Sequence, residues 1–280
     1  MSEQHDRVER RLLEQELSRL RKQLNILSSP LEVLLKRRGF QIFSQGPAED
    51  LLIPAKRSLR GFYAMLGKYS FRLFLRDVIK HQDFFTPEMV TRYAAAEVTG
   101  QYIAYLLSVR LITQKDSGYA VAGKHVRSFG ETLEWYVAEI FRREFSAEAV
   151  WGVKFKGRKT GGDYDVIAKL DCVLCSAEVK SSPPKQIFDS EIAAFLDRVA
   201  DLSPDVAIFL MDTELRMKDK MVPMFEAELA RRGKEDLPVV RIEKELFQIG
   251  HRIYIINAKD SIAGNIQNVL GRYFRWHDGI

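Results

Sequence analysis

The stretch Gly161–Lys180, GGDYDVIAKLDCVLCSAEVK, reads as two antiparallel strands joined by a tight turn. Glycines open the first strand, Asp165 heads the apolar run Val166-Ile167-Ala168, and a turn near Leu170-Asp171 leads into the second strand, Cys172 to Lys180. Side chains alternate along a strand, so Glu178 and Lys180 share one face while Ala177 and Val179 take the other. The hairpin brings Asp165 alongside, so two carboxylates and an ammonium converge at one end of a sheet. Gathering carboxylates costs repulsion and desolvation, which a divalent cation relieves. Asp165, Glu178 and the Val179 carbonyl are hard oxygen donors, a set that favours Mg2+ or Mn2+ over zinc. Lys180 has a matching use: it can orient or help deprotonate a water and stabilise charge on a phosphorane-like transition state. The chemistry this pattern predicts is metal-assisted hydrolysis of a phosphodiester. The competing reading of Glu178 and Lys180 is an ion pair on a solvated face. A bare E-x-K arises about once by chance in a chain of ordinary composition, so the weight rests on the conjunction and not on the tripeptide.

Upstream, Glu131–Phe145, ETLEWYVAEIFRREF, sets Leu133, Trp135, Tyr136, Val137, Ile140 and Phe141 largely on one helical side, with Glu134 near its edge. A strand-like run, Ala149–Phe155, precedes the basic and flexible segment Lys156–Gly162. Lys154, Lys156, Arg158 and Lys159 are the candidates for phosphate contacts beside Asp165. Downstream, Ser181-Ser182-Pro183-Pro184 breaks the strand, Asp189–Leu202 has helical periodicity, and Val206–Met211 reads as a strand buried on both faces. Glu214–Lys234 reads as a charged helix packing on the outside, Arg252–Asn257 as another strand and Ser261–Phe274 as a closing helix. Strands alternating with helices predict an α/β fold, a mixed sheet flanked by helices.

This order resembles the PD-(D/E)XK nuclease superfamily, with its restriction-endonuclease-like fold. The spacing is most similar to the branch of archaeal Holliday-junction resolvases and Mrr-type restriction enzymes. The resemblance covers about residues 128–275. It implies that Asp165 and Glu178 bind the metal, that Lys180 assists the nucleophilic water, and that Glu134 on the first helix completes the site, with Glu131 close by. Tyr164 stands where many members carry proline. Lys185 and Gln186, after the E-x-K strand, are candidates for polar contacts to substrate, against the plainer reading of an ordinary helix start.

In the N-terminal part, Leu13, Leu17, Leu20, Leu24 and Leu27 form a heptad seam of about two repeats. It is either a helix on its own domain or a coiled coil joining two copies in a homodimer. From Lys56 to Lys80 seven basic residues face a single acid, Asp77, with Phe62, Tyr63, Tyr69, Phe71 and Phe74 interleaved. The band suits phosphates, or else the aromatics are core and the bases its solvated side. Helical signals at Tyr69–His81, Thr86–Tyr93 and Thr99–Val109 precede a hairpin at Leu111–Gln114 and Tyr119–Ala122. The pattern resembles a winged helix-turn-helix domain, a module that binds DNA or proteins. On the DNA reading, Thr99 and Gln101 open the recognition helix, Tyr102 lies beside them, and Lys115 lies on the wing. The expected parts are residues 1–29 (amphipathic helix), 30–125 (winged-helix-like) and 126–280 (nuclease).

The chain has 280 residues, 43 Lys+Arg against 38 Asp+Glu, a net charge of +5 and 46% apolar residues, which suits a globular protein with a substantial interior. Cys172 and Cys175 form no disulfide framework, and the polar, charged stretch Met1–Glu16 is unlike a secretory leader. No apolar run approaches the roughly 20 residues needed to cross a bilayer. These features predict a cytoplasmic protein without a membrane partner. The five histidines show no metal spacing, and no Walker or Rossmann motif is present. The expected function is a metal-dependent endonuclease acting on DNA, in defence or in repair and recombination. Rival readings are RNA or branched DNA as substrate, or nucleic-acid binding without cleavage.

Overall fold

The computed structural model describes residues 13, 16, 19–20, 28–46, 51–92, 94–158 and 163–277. In chain order the elements are α1 (Leu31–Arg37), β1 (Ile42–Ser44), α2 (Leu59–Leu66), α3 (Tyr69–Lys80), α4 (Pro87–Val90), α5 (Ala96–Ser108), and the hairpin β2 (Ile112–Lys115) and β3 (Gly118–Val121). Next come α6 (Phe129–Glu144), β4 (Glu148–Phe155), β5 (Tyr164–Leu170), β6 (Val173–Lys180), α7 (Asp189–Leu202), β7 (Val206–Met211) and α8 (Met221–Arg231). Strands β8 (Val239–Glu243), β9 (Leu246–Ile249) and β10 (Ile253–Asn257) and helix α9 (Ile262–His277) close the chain.

One mixed sheet holds eight strands in the order β1-β4-β5-β6-β7-β10-β9-β8. The pairs β6–β7 and β7–β10 are parallel and the others antiparallel. All six residues of β7 are buried, as its continuous apolar sequence requires of a strand covered on both faces. Period-two alternation sorts the faces. Val166, Ala168, Cys175, Ala177, Ile208 and Ile256 meet Leu133, Val137 and Phe141 of α6 and Ile266 and Val269 of α9. Phe209, Met211, Phe247 and Ile255 meet Ile192, Phe195 and Val199 of α7 and Phe225 of α8. The α/β architecture, a mixed sheet flanked by helices, is the one its periodicity predicts.

Several elements differ from the sequence reading. Residues 31–44 pack on the sheet: β1 pairs with β4, and Leu31, Leu35 and Phe40 meet Ile167 and Leu174 of the sheet and Leu202 at the end of α7. Helix α8 is shorter than Glu214–Lys234 and does not lie outside. Met217, Met221, Phe225 and Leu229, four apart, form a fully internal stripe, and the surrounding charges obscure it. The β8–β9 hairpin was not anticipated. Of the heptad seam, Leu13 and Leu20 are helical and exposed, with Glu16 and Arg19 helical beside them. Its remaining leucines, and with them the homodimer expectation, lie outside the described residues.

The three helices and hairpin expected at residues 69–122 are present as α3, α4, α5 and β2–β3, with Phe85 adding a bridge to Tyr119. Within the basic band, Phe62, Phe71 and Phe74 are core, packed toward Trp135 and Tyr102. Arg72 is buried with them. No helix among the described residues is long and apolar enough to cross a membrane.

Candidate active site

The ladder between β5 and β6 runs from Leu170–Val173 to Val166–Ala177. One step further in the same register sets Asp165 against Glu178, on the face of Ile167 and Leu174. There the ladder gives way to a side chain: Asp165 Oδ2 accepts the Val179 N–H at 2.7 Å. A strand residue turns its N–H and C=O to the same edge, so the Val179 carbonyl also faces the Asp165 side.

Glu134 comes from α6, which packs on the opposite face, and its carboxylate lies beside β4 at Gly152. Trp151 pairs with Val166 and Val153 with Tyr164, so Gly152 stands beside Asp165. Gly152 has φ +56°, and a Cβ there would lie 2.9 Å from Gly46 Cα and 3.8 Å from Glu134 Oε2. The missing side chain makes room for the returning chain at Gly46, and the Glu134 carboxylate lies at ordinary contact distance beside it. Burial, followed by the charges of Asp165, Glu131 and Glu178, pushes the Glu134 carboxyl well above its usual range. Burial and then Glu178 push Asp165 up as well, although the Val179 N–H, Lys180 and Arg198 pull the other way.

Glu178 is neutralised directly. Arg198 meets its Oε2 at 2.6 Å and Lys180 its Oε1 at 3.0 Å. The Lys180 ammonium also lies 3.1 Å from Glu191 Oε1. Burial alone would lower the Lys180 pKa, but Glu178, Asp165 and Glu191 outweigh it and raise the pKa, so this lysine is a firm cation. Glu191 and Arg198 were not among the residues singled out from the sequence. Both lie on α7, seven positions and so two turns apart, on the side turned to β6. That spacing was visible, but nothing in it says which strand the helix covers.

Among the described residues, no group of three or more Asp, Glu, His or Cys side chains is gathered so as to hold a metal ion. Glu178 has cations of the chain itself on both oxygens. The donor chemistry nevertheless fits a hard divalent ion: Glu134 and Asp165 are half-buried carboxyls raised by burial and then by neighbouring carboxylates, Asp165 acting on Glu134 and Glu178 on Asp165, an excess that a cation relieves.

The expected nucleic-acid contacts fare unequally. Thr99 is buried and its hydroxyl has no hydrogen-bond partner, so it does not face a groove. It lies on the inner side of α5 with Tyr102 and Ile103, because the apolar stripe of this helix begins at Thr99. Gln101 is exposed, but the other exposed positions of α5 are Ala96, Glu97, Gly100, Ala104 and Ser108, without a cation. Lys115 is exposed and donates to the Asp83 carbonyl at 3.3 Å. Arg158 is tied inward, to Asp201 at 3.2 Å and the Gly39 carbonyl at 3.2 Å, with its guanidinium 3.7 Å over the Phe40 ring. It is a structural clamp for the α1–β1 segment. Lys154 is exposed and pairs with Asp163 at 3.3 Å, Lys156 is exposed, and Lys159 lies outside the described residues.

No protein-family model matches the chain, and no curated protein matches it. Among solved structures, it is similar to protein VC1899 from Vibrio cholerae, at 13% identity and a TM-score of 0.45 over 88% of this chain and 61% of that one. It is also similar to Can2 from Sulfobacillus thermosulfidooxidans, solved with cyclic tetra-adenylate, at 13% identity and a TM-score of 0.49 over 87% and 61%. The chain thus spans about three fifths of the length of each. Likenesses at this level identify no residue and no ligand here.

Proposed function

We propose that this chain is a divalent-metal-dependent nuclease of the PD-(D/E)XK type, hydrolysing phosphodiester bonds of DNA. The observation that carries the reading is the meeting of Asp165, Glu178 and Lys180 where the β5–β6 ladder ends, with Glu134 beside Gly152. Asp165, Glu178 and the Val179 carbonyl would hold Mg2+ or Mn2+, with Glu134 as a further carboxylate. The ion would supply Lewis-acid polarisation of the phosphate and a more acidic water. The protein's own groups do the rest. Lys180, kept protonated by Glu178 and Glu191, supports the negative charge of the transition state and orients the water, and does not serve as a base. Asp165 is held in line by the Val179 N–H, and Arg198 pairs with Glu178 in a buried place.

The helical segment enters this reading as a packing and partner module. The exposed side of α5 carries Glu97 and small residues, which supports a protein contact over a phosphate contact. Defence or repair and recombination are the settings such an activity would serve.

The test is cleavage of plasmid, single-stranded, branched and RNA substrates with Mg2+, Mn2+ or chelator. Cleavage is expected only with metal, and is expected to fall by at least a hundredfold in Glu178→Gln and Lys180→Ala, both folded by circular dichroism. Cleavage that survives in both variants, or a wild type inert on every substrate, overturns the assignment.

A further inference from the structure

A second built feature lies immediately beyond Lys180. Helix α3 and the segment Ser181–Gln186 enclose a cleft of about 300 Å3, lined by the cations Arg76, Lys80, Arg92 and Lys185 against one acid, Asp77. Arg76 donates to the Ser181 carbonyl at 3.1 Å, so the cleft begins one residue after the lysine of the site. Two residues after Gln186, which lines the cleft, stands Phe188, 70% exposed.

The backbone that carries this residue is held in place. Glu191 accepts the Phe188 N–H at 3.0 Å through Oε2 and holds Lys180 Nζ at 3.1 Å through Oε1. One carboxylate therefore ties the main chain of an exposed phenylalanine to the Lys180 ammonium. Neither packing nor capping accounts for it: an exposed ring gains nothing from burial, and the residue before a helix is favoured as Ser, Thr, Asp or Asn. A cationic groove with an exposed aromatic at its end is what a nucleic-acid strand needs, phosphates along the groove and a base on the ring.

We propose that the Arg76–Lys80–Lys185 cleft and Phe188 bind the strand flanking the bond to be cut, with its phosphodiester oxygens in the cleft and an unpaired base stacked on Phe188. The substrate class follows from the stacking. Inside a duplex both faces of each base are already covered, so the site takes single strands, or the frayed and branched ends of duplexes. The inference rests on the nuclease reading, which puts the scissile phosphate at Glu178 and Lys180.

The experiment is fluorescence anisotropy with the full chain in chelator, which removes cleavage from the readout. The probes are a labelled single strand and the blunt duplex of the same sequence, with inorganic phosphate and a nucleoside monophosphate as competitors. The single strand is expected to bind roughly tenfold tighter than the blunt duplex. Phe188→Ala is expected to lose about that factor for the single strand alone, with Phe188→Trp restoring it. Phe188→Ala leaves the salt dependence unchanged, whereas Lys80→Gln/Lys185→Gln lowers its slope by about two phosphate contacts. Equal affinity for strand and blunt duplex, or a Phe188→Ala protein that binds like wild type, overturns the proposal. So does competition by a monophosphate at the oligonucleotide's own concentration, which would make the cleft a small-anion site. Binding of the expected kind without cleavage under any metal sinks the nuclease reading and leaves the strand site standing; cleavage with Phe188 without effect does the reverse.

Discussion

Of the carboxylates Glu134, Asp165 and Glu178, the first two are half-buried and the third buried, yet only Glu178 has arginine and lysine pressed against it. The imbalance predicts a pH dependence whose sign is unusual for acids. Glu134 and Asp165 titrate above their unfolded values, so the folded state holds their protons more tightly. Their contribution to stability is complete below the ordinary carboxylate range near pH 4 and is lost as pH rises through the folded value, about 9 for Glu134. Urea midpoints of the metal-free protein are expected to fall across that window, and Glu134→Gln is expected to flatten the fall. An unchanged slope in Glu134→Gln would remove this residue from the cluster. At this scale the sequence was informative where chemistry follows from neighbours on one strand: Glu178 and Lys180 share a face because alternation allows nothing else. Glu191 and Arg198 escaped notice because their partners are supplied by packing of α7 on β6, and no local pattern records it.

The elements carry their own tests. Gly152 looks like an ordinary interruption of a strand, but its positive φ and the 2.9 Å approach of Gly46 reserve the position for glycine. Gly152→Ala is expected to cost roughly 1–2 kcal/mol from the backbone conformation alone, read as a lower denaturation midpoint. Cleavage per folded molecule is expected to match wild type, since a Cβ 3.8 Å from Glu134 Oε2 is an ordinary contact; a loss beyond that of folded protein would show that the shift at Gly46 reaches Glu134. The β5–β6 hairpin was legible because period two and a tight turn are local signals. Helix α5 was legible as a helix but not in its outward face: the reading set Thr99 toward a groove, and the structure buries it because Tyr102 and Ile103 need that side for the core. Helix α8 erred in the other direction, its stripe from Met217 to Leu229 hidden among charges.

Over the whole molecule, the helical part and the sheet form one packed body around α6. Their join includes an ion pair with almost no exposure: Arg72 of α3 meets Asp212 at 2.8 Å, each side chain 2% exposed, and also donates to the Leu66 carbonyl. The Asp212 N–H bonds the Lys180 carbonyl at 2.8 Å, so the pair abuts the strand that bears the site. Removing one partner leaves a buried charge alone, and Asp212→Ala is expected to cost about 3–5 kcal/mol in urea unfolding. The double change Arg72→Met/Asp212→Leu is expected to recover most of this, because two well-packed apolar groups replace a desolvated pair at little cost. If the double variant is as unstable as the single, the pair supplies net stability and is more than a neutralised charge. In sequence Arg72 was one base in a band of seven, with no sign that it faces inward.

What the chain determines by itself is whatever repeats locally. Period-two alternation, apolar runs and turn residues define the strands and their faces, and from them the meeting of Asp165, Glu178 and Lys180. What the tertiary structure alone decides is where charges lie and against what: Arg72 on Asp212, Arg198 on Glu178, Arg158 on Asp201, and Glu134 beside Gly152. Each depends on contacts between elements distant in the chain. A buried charge must find its partner in space, and no sequence period encodes that distance.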